Sequence, residues 1–425
     1  MAMPATFLYY VGEINILWIG AMNWLGFIQL IRNIYGRELP DLDAIQRQGL
    51  LAVKIGQVFA LRIDFLNEAT CRHLARLYRS AVSLPPEQME KLLELYTDSH
   101  FRQRFEYINT TPLASASVGQ VHRARLKNGK EVVIKLVKHD ARQQFTADVR
   151  SVKKLFRFCI FFYPKLAKVA DPVGVLENIE DYTLTELNLL NEIKGQDVLR
   201  TIYNQNRTGY DLSRLRFADF HRELCSEQIL VADFIEGKTF DELLEHHELS
   251  YEQLLELFHI HGFFMFVIGT FHGDIHPGNI ILNDGRICFI DTSAISHVGA
   301  KIRKGLFEFF AALSWYDYEK CAHFLNKMSE VEIEGKRFEA FRKKFIDLYA
   351  DFTDSTVAQV SLTKKMMDTI RLGIDSGMVF ERGMFPIIKS LMYLDGMVLS
   401  CKPDAVLMKD MRAFIEETRA AVLAS

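Results

Sequence analysis

His272-Gly-Asp-Ile-His-Pro-Gly-Asn279, followed by Ile280-Ile281-Leu282 and then by Ile290-Asp291, is the stretch that decides the fold. Two acids and one amide arrive at the spacing that phosphoryl transfer from a nucleoside triphosphate requires. In such loops one Asp contacts the attacking hydroxyl or water. An Asn five residues later, and a further Asp after a short hairpin, hold Mg²⁺. Those positions are Asp274, Asn279 and Asp291. Between them, Ile280–Leu282 and Ile287–Ile290 flank the turn residues Asn283-Asp284-Gly285. Two short apolar strands around an Asp-Gly turn predict a β-hairpin that returns Asp291 to Asn279. An ordinary hairpin with surface acids is the plainer alternative, and the joint spacing argues against it.

Composition sets wider limits. The chain has 425 residues, enough for two or three packed units, and its hydrophobic share of 49% suits a folded globular protein. A net charge of −3 argues against nucleic acid as a partner, which would call for a basic domain or stripe. Six cysteines lie scattered without a close pair, the pattern of reduced thiols in a cytosol rather than of disulfides or a zinc site. The expected location is cytoplasmic, with peripheral contact on the inner face of a membrane.

That membrane expectation rests on two segments. Ile14 to Ile31 is eighteen residues without a charge, barely long enough to span a bilayer. On a helix, Gly12, Asn15, Asn23, Gly26 and Gln29 fall on one side. Such a helix can lie in a membrane interface, or pack against the rest of this protein. Farther on, Arg150, Lys153, Lys154 and Arg157 form a cationic stripe beside Phe156, Phe158, Ile160, Phe161 and Phe162. A basic amphipathic helix reads acidic headgroups, although the commoner use of such a stripe is a solvated face.

Upstream of the catalytic loop the parts follow the order of a kinase amino-terminal lobe. Ser117 to Ala124 alternates into a strand, Asn128-Gly129 supplies a hairpin turn, and Glu131-Val-Val-Ile-Lys135 is a strand ending in a lysine. A lysine there pairs with the α- and β-phosphates while a helix Glu holds it. Glu186 and Glu192 are the two candidates, about 240° apart on a continuous helix, so both cannot serve one lysine without a break. Glu186 is assigned to Lys135. Gln228 to Gly237 looks like a last strand leading into the linker whose backbone binds adenine, at Asp233, Phe234 and Ile235. The phosphate-covering loop, Ala114-Ser115-Ala116-Ser117-Val118, carries Cβ atoms where glycine is usual, which restricts how it folds over a triphosphate.

The chain resembles the UbiB/AarF family of atypical kinase-like proteins associated with isoprenoid-quinone biosynthesis. The likeness rests on the alanine-rich loop running into Val118-Gly-Gln-Val-His122, and on Lys54-Ile-Gly56-Gln57, continuing to Arg62 and Asp64. It rests also on the tail Lys389-Ser-Leu-Met-Tyr-Leu-Asp-Gly396 through Pro403-Asp404. It covers residues 44 to 410 and implies an α+β bilobal fold with a small β-rich N-lobe, a larger helical C-lobe and a helical extension. The expected layout is an apolar segment over 1–40, the extension over 41–108, the N-lobe with inserted helices over 109–237, and the C-lobe over 238–425.

The resemblance also implies function. It places Lys54 and Gln57 on an extension over the active site, Lys135 and Glu186 as an ion pair, and Asp274, Asn279 and Asp291 at the metal and phosphates. It implies an ATPase or phosphotransferase using ATP or ADP and Mg²⁺, with a small-molecule or lipid-like quinone precursor as partner. Oligomeric state is left open. Three departures stand out: Thr292-Ser293 follow Asp291 where kinases have Phe-Gly, Asn188 replaces an Asp, and Ser115 interrupts the alanine run. The alternatives are a small-molecule phosphotransferase of the aminoglycoside or choline kinase type, and a nucleotide-gated scaffold without catalysis. A metal hydrolase using His272, Asp274 and His276 lacks remote ligands and leaves Pro-Gly-Asn unexplained.

Overall fold

The computed structural model describes residues 22, 24–60, 66–78, 83–138, 141–162, 172–380 and 384–424. They form two compact units. The first takes the chain up to Leu190 together with Asp219–Phe234, and the second takes Asn191–Ala218 together with the chain from Ile235 onward.

In the first unit, an antiparallel sheet runs in the order β1 (Phe105–Ser115), β2 (Gly119–Leu126), β3 (Glu131–Val137), β5 (Ile229–Asp233). Strand β2 alternates buried and half-buried residues, as the sequence pattern requires. Asn128-Gly129 makes the β2–β3 turn, with Gly129 at φ +85°, a conformation that costs a residue without Cβ little. Helices α1 (Trp24–Ile34), α2 (Leu42–Arg47), α3 (Leu50–Ala60), α4 (Glu68–Ala75), α5 (Pro86–Tyr96) and α6 (Ser99–Gln103) precede the sheet. Helices α7 (Ala141–Phe162) and α8 (Pro172–Glu186) follow β3. Met89 and Leu93 of α5 pack with Ala124, Val132, Ile134 and Val231 of the sheet. A separate apolar core joins α1, α3, α7 and α8 through Leu30, Leu51, Phe145, Val149 and Leu176.

This helical core answers part of the amino-terminal question. Of the Ile14–Ile31 stretch, Trp24–Ile31 lies in α1, which buries Leu30 and sets Phe27 edge-on to Phe156 of α7, 5.2 Å between ring centres. Residues 1–21 and 23 lie outside the described residues, as do Arg62 and Asp64. The cationic stripe of α7 is partly consumed inside the unit. Lys153 sits 2.6 Å from Glu180 and 3.5 Å from Glu177 of α8, while Arg150, Lys154 and Arg157 face solvent. No helix among the described residues is long and apolar enough to cross a membrane.

The second unit opens with α9 (Leu190–Asn206) and the short β4 (Leu215–Arg216), and resumes with β6 (Lys238–Thr239), α10 (Phe240–Glu245) and α11 (Tyr251–Gly262). Reciprocal caps start the last two helices: Thr239 with Glu242, and Ser250 with Gln253. A π turn over Phe263–Ile268 leads into β7 (Thr270–His272), then β8 (Ile280–Asn283), β9 (Arg286–Phe289) and β10 (Ile295–His297). The β8–β9 hairpin turns on Asp284 (φ 47°) and Gly285 (φ 71°), the paired positive φ values of a type I′ turn. Helices α12 (Ala300–Ser314), α13 (Tyr318–Met328), α14 (Gly335–Leu348), α15 (Leu362–Asp375), α16 (Met384–Cys401), α17 (Leu407–Asp410) and α18 (Arg412–Ala424) complete the unit.

Residues 191–218 fall in this second unit, whereas the sequence layout kept 109–237 together. The reason is local pairing. Strand β4 runs parallel to β9, and Gln196 and Arg200 of α9 donate to the Ala218 carbonyl at 2.7 and 2.8 Å. A two-residue strand leaves no periodicity to read.

Candidate functional site

In the second unit, β7 delivers His272 into a loop that ends in the short helical turn Pro277–Asn279. His272 is buried and neutral, its pKa pushed down chiefly by burial. Its Nδ1 accepts the Asp274 N–H at 3.1 Å, and its Nε2 donates to the Ile290 carbonyl at 3.2 Å. One ring therefore ties the Asp274 loop to the segment that carries Asp291. The Ile290 N–H returns to the Asn279 carbonyl at 2.9 Å, and Asn279 Nδ2 donates to the Asp274 carbonyl at 3.1 Å. Asp274, Asn279 and Asp291 are thus brought together as their spacing predicts.

Asp291 stands at φ +52°, a left-handed conformation that a side chain rarely adopts and that the surroundings must enforce. Its N–H donates to Glu192 Oε1 at 3.2 Å, and its Oδ1 accepts from Ser293 Oγ at 3.0 Å. Thr292, buried where kinases place Phe, donates to the Glu192 carbonyl at 2.7 Å. Gly195 lies one turn along α9, and a Cβ there would sit 1.8 Å from the Thr292 carbonyl oxygen. The anchor lost with Phe-Gly is replaced by hydrogen bonds to α9 and by close backbone approach.

These residues fit Mg²⁺. The Asn279 amide nitrogen is committed to the Asp274 carbonyl, so its amide oxygen is the atom that could ligate a metal, with the Asp291 carboxylate as a second donor. Both are the hard oxygen donors that Mg²⁺ takes, with phosphate oxygens and water completing its shell. Among the described residues no group of three or more His, Cys, Asp or Glu side chains could hold a metal alone.

One contributor to this region carried no role in the sequence reading, and a second was expected at another part of the site than the lysine pair. Lys389 of α16 reaches Asp274, with Nζ 2.7 Å from Oδ1. One turn later, the Tyr393 ring lies edge-on to His276, 5.3 Å between centres. The other contributor is Glu192, the acid set aside in favour of Glu186. Helix α8 ends at Glu186, and Asn188 accepts the Leu190 N–H at 3.1 Å where α9 begins. That break gives each acid its own surroundings.

The first unit holds the remaining candidates. Glu186, assigned to Lys135 by the sequence analysis, accepts Lys54 Nζ at 2.5 Å. Lys54 also lies over the Tyr182 ring. Gln57, expected to act jointly with Lys54, donates to the Leu77 carbonyl at 3.0 Å. Gly56 belongs between them because a Cβ there would come within 2.5 Å of Leu77. Lys135 is buried on β3, in register with Val121 and Leu230.

Ala114 and Ser115 end β1, and Ala116, Ser117 and Val118 make the turn into β2. The Ala116 N–H donates to Gly119 at 2.8 Å, and Lys138 Nζ donates to the Ala116 carbonyl at 3.0 Å. Asp233 is paired with Lys130 at 2.9 Å and His221 at 3.0 Å. The N–H groups of Asp233 and Phe234 donate to the carbonyls of Asp219 and Glu131 at 2.9 and 3.1 Å. Ile235 begins the second unit.

The profile of the ABC1 atypical kinase-like domain matches residues 76–325, more than half of the chain. This chain belongs to the ABC1 (UbiB/AarF) family. Within that family it is 27% identical over 383 residues to the "probable protein kinase UbiB" of Erwinia tasmaniensis, covering 88% of this chain and 69% of that one. It is 24% identical over 417 residues to a chloroplastic aarF domain-containing protein kinase of Arabidopsis thaliana, covering 92% and 76%. Among solved structures, Rv3197 of Mycobacterium tuberculosis in complex with erythromycin matches with TM-score 0.54 at 20% identity, over 85% of this chain and 90% of that one. The fold of this ABC1-family chain is the α+β, two-lobed, kinase-like one, and its class is kinase-like.

Proposed function

We propose that this protein binds Mg·ATP and transfers the γ-phosphoryl group to water or to a small hydroxyl acceptor. The observation that carries the reading is the His272 ring, which fixes the Asp274 loop and the Asp291 segment in one arrangement. Phosphoryl transfer depends almost wholly on such positioning and on charge. In the step, the attacking oxygen bonds to the γ-phosphorus as the bond to the bridging oxygen breaks. ADP leaves, and the proton of the attacking hydroxyl passes to the Asp274 carboxylate. Asn279 and Asp291 would hold Mg²⁺, which neutralises charge on the phosphates when bound. Within the first unit, Lys135 and the Ala114–Val118 turn keep the phosphate-binding role that the family likeness assigns them.

The acceptor class we favour, a lipid-like quinone precursor, rests on that likeness. A peripheral membrane contact is supported by the exposed Phe158, Phe161 and Phe162 beside Arg157. The test is phosphate release from Mg·ATP, with and without anionic vesicles carrying a phenolic quinone-precursor mimic. Release that rises with loaded vesicles supports the full reading. Release indifferent to vesicles removes the membrane and acceptor parts, and no release under any condition removes the transfer reading.

A further inference from the structure

Helix α16 spans Met384–Cys401 and carries two charges in an otherwise uncharged sequence, Lys389 and Asp395. Asp395 is explained by structure: its Oδ2 accepts the Thr363 N–H at 3.0 Å in the first turn of α15. Lys389 is turned to a different element. It crosses to the catalytic loop, 115 residues away in sequence, and places Nζ 2.7 Å from Asp274 Oδ1. Both side chains are largely buried, 11% and 15% exposed. Stability is a weak reason for such a pair. Burying two charges costs several kcal/mol that their attraction barely returns, and apolar residues of like size do as well or better.

The neighbours are specific as well. Lys389 and Tyr393 lie four apart, on one face of α16. Lys389 meets the acid of the His-Gly-Asp-Ile-His stretch, and Tyr393 meets its second histidine. We propose that Lys389 is a positioning residue of the transfer centre: it holds the Asp274 carboxylate in one rotamer, so that the acid faces the attacking hydroxyl. This rests on the phosphoryl-transfer reading above. On it, the helical tail completes a centre that the catalytic loop does not complete alone.

Steady-state phosphate release from Mg·ATP tests this on the full chain with Lys389→Met, Lys389→Arg and the double variant Lys389→Met/Asp274→Asn. Losing a positioned group lowers kcat by about 10-fold or more with KM for Mg·ATP nearly unchanged, since the contact matters in the transition state. Lys389→Arg, which keeps the charge, regains most of that loss. The double variant is no slower than Asp274→Asn alone, because Lys389 acts through Asp274. If Lys389→Met fails to fold, the comparison of the double variant with Asp274→Asn decides, since the double variant removes both charges of the pair. Wild-type kcat in Lys389→Met, a loss confined to KM, an arginine variant as slow as the methionine one, or a double variant far slower than Asp274→Asn overturns the inference. A wild-type protein that releases no phosphate overturns the transfer reading itself, before any variant is compared.

Discussion

Lys54 and Glu186, 132 residues apart, form a buried ion pair that fastens α3 to the end of α8. The Lys-x-Gly-Gln segment is therefore held by the acid that ends α8, and by the fit of Gly56 and Gln57 against Leu77. Removing one partner of a buried pair is far costlier than removing both. Lys54→Met should lower unfolding stability by about 3 kcal/mol, because it takes a counter-charge away from the buried Glu186 carboxylate. Denaturant midpoints check this, and equal stability of the single variant and wild type would contradict the burial.

Gly195→Ala should act on the Asp291 segment from a distance in sequence. Its Cβ would collide with the Thr292 carbonyl, so α9 must move away from the backbone that holds Asp291 in its left-handed conformation. We expect a stability loss of about 1–3 kcal/mol and loss of Mg²⁺-dependent nucleotide binding. Gly396→Ala in α16 meets no atom within 4 Å. It should stabilise by about 0.5–1 kcal/mol and leave nucleotide binding intact. Thermal unfolding and nucleotide titration of both variants make the contrast.

Much of this was legible because it is local. Asn279 lies five residues from Asp274, and the Asp-Gly turn returns the chain at a distance the spacing dictates. Gly195 and Lys389 were hidden for a common reason. Their roles depend on where α8 breaks and on which turn of α16 passes Asp274, and no nearby residue records either.

Acid should weaken the second unit through its buried histidines. Both ring nitrogens of His261 lack a partner among the described residues, and burial holds its pKa down to about 3, against an ordinary 6.5. His272 is lowered in the same sense. The unfolded chain then binds more protons below pH 6.5. Stability is full above that pH and falls below it, by up to about 1.4 kcal/mol per pH unit per ring. Asp148 opposes this in the first unit: burial lifts it to about 6, and its contribution grows as pH falls from there towards 3.8. His261→Phe should flatten the fall between pH 6.5 and 5, measured as denaturant midpoint against pH. An unchanged slope would show the ring to be hydrated.

Ala116→Gly should loosen the β1–β2 turn, where Ala116 bonds to Gly119 and accepts from Lys138. The added backbone freedom should change the ratio of ATP to ADP affinity, read by parallel titrations of both nucleotides. An unchanged ratio would mean that the turn does not contact the phosphates.

The central claim is that Asp274, Asn279 and Asp291 form a Mg·nucleotide centre. Equilibrium titration of the full chain with ATP, with Mg²⁺ and with EDTA, for wild type and Asp291→Asn, tests it most directly. The account predicts binding that needs Mg²⁺ in the wild type and is lost in the variant while its unfolding midpoint is kept. Equal binding by the two proteins, or wild-type binding indifferent to Mg²⁺, would contradict it.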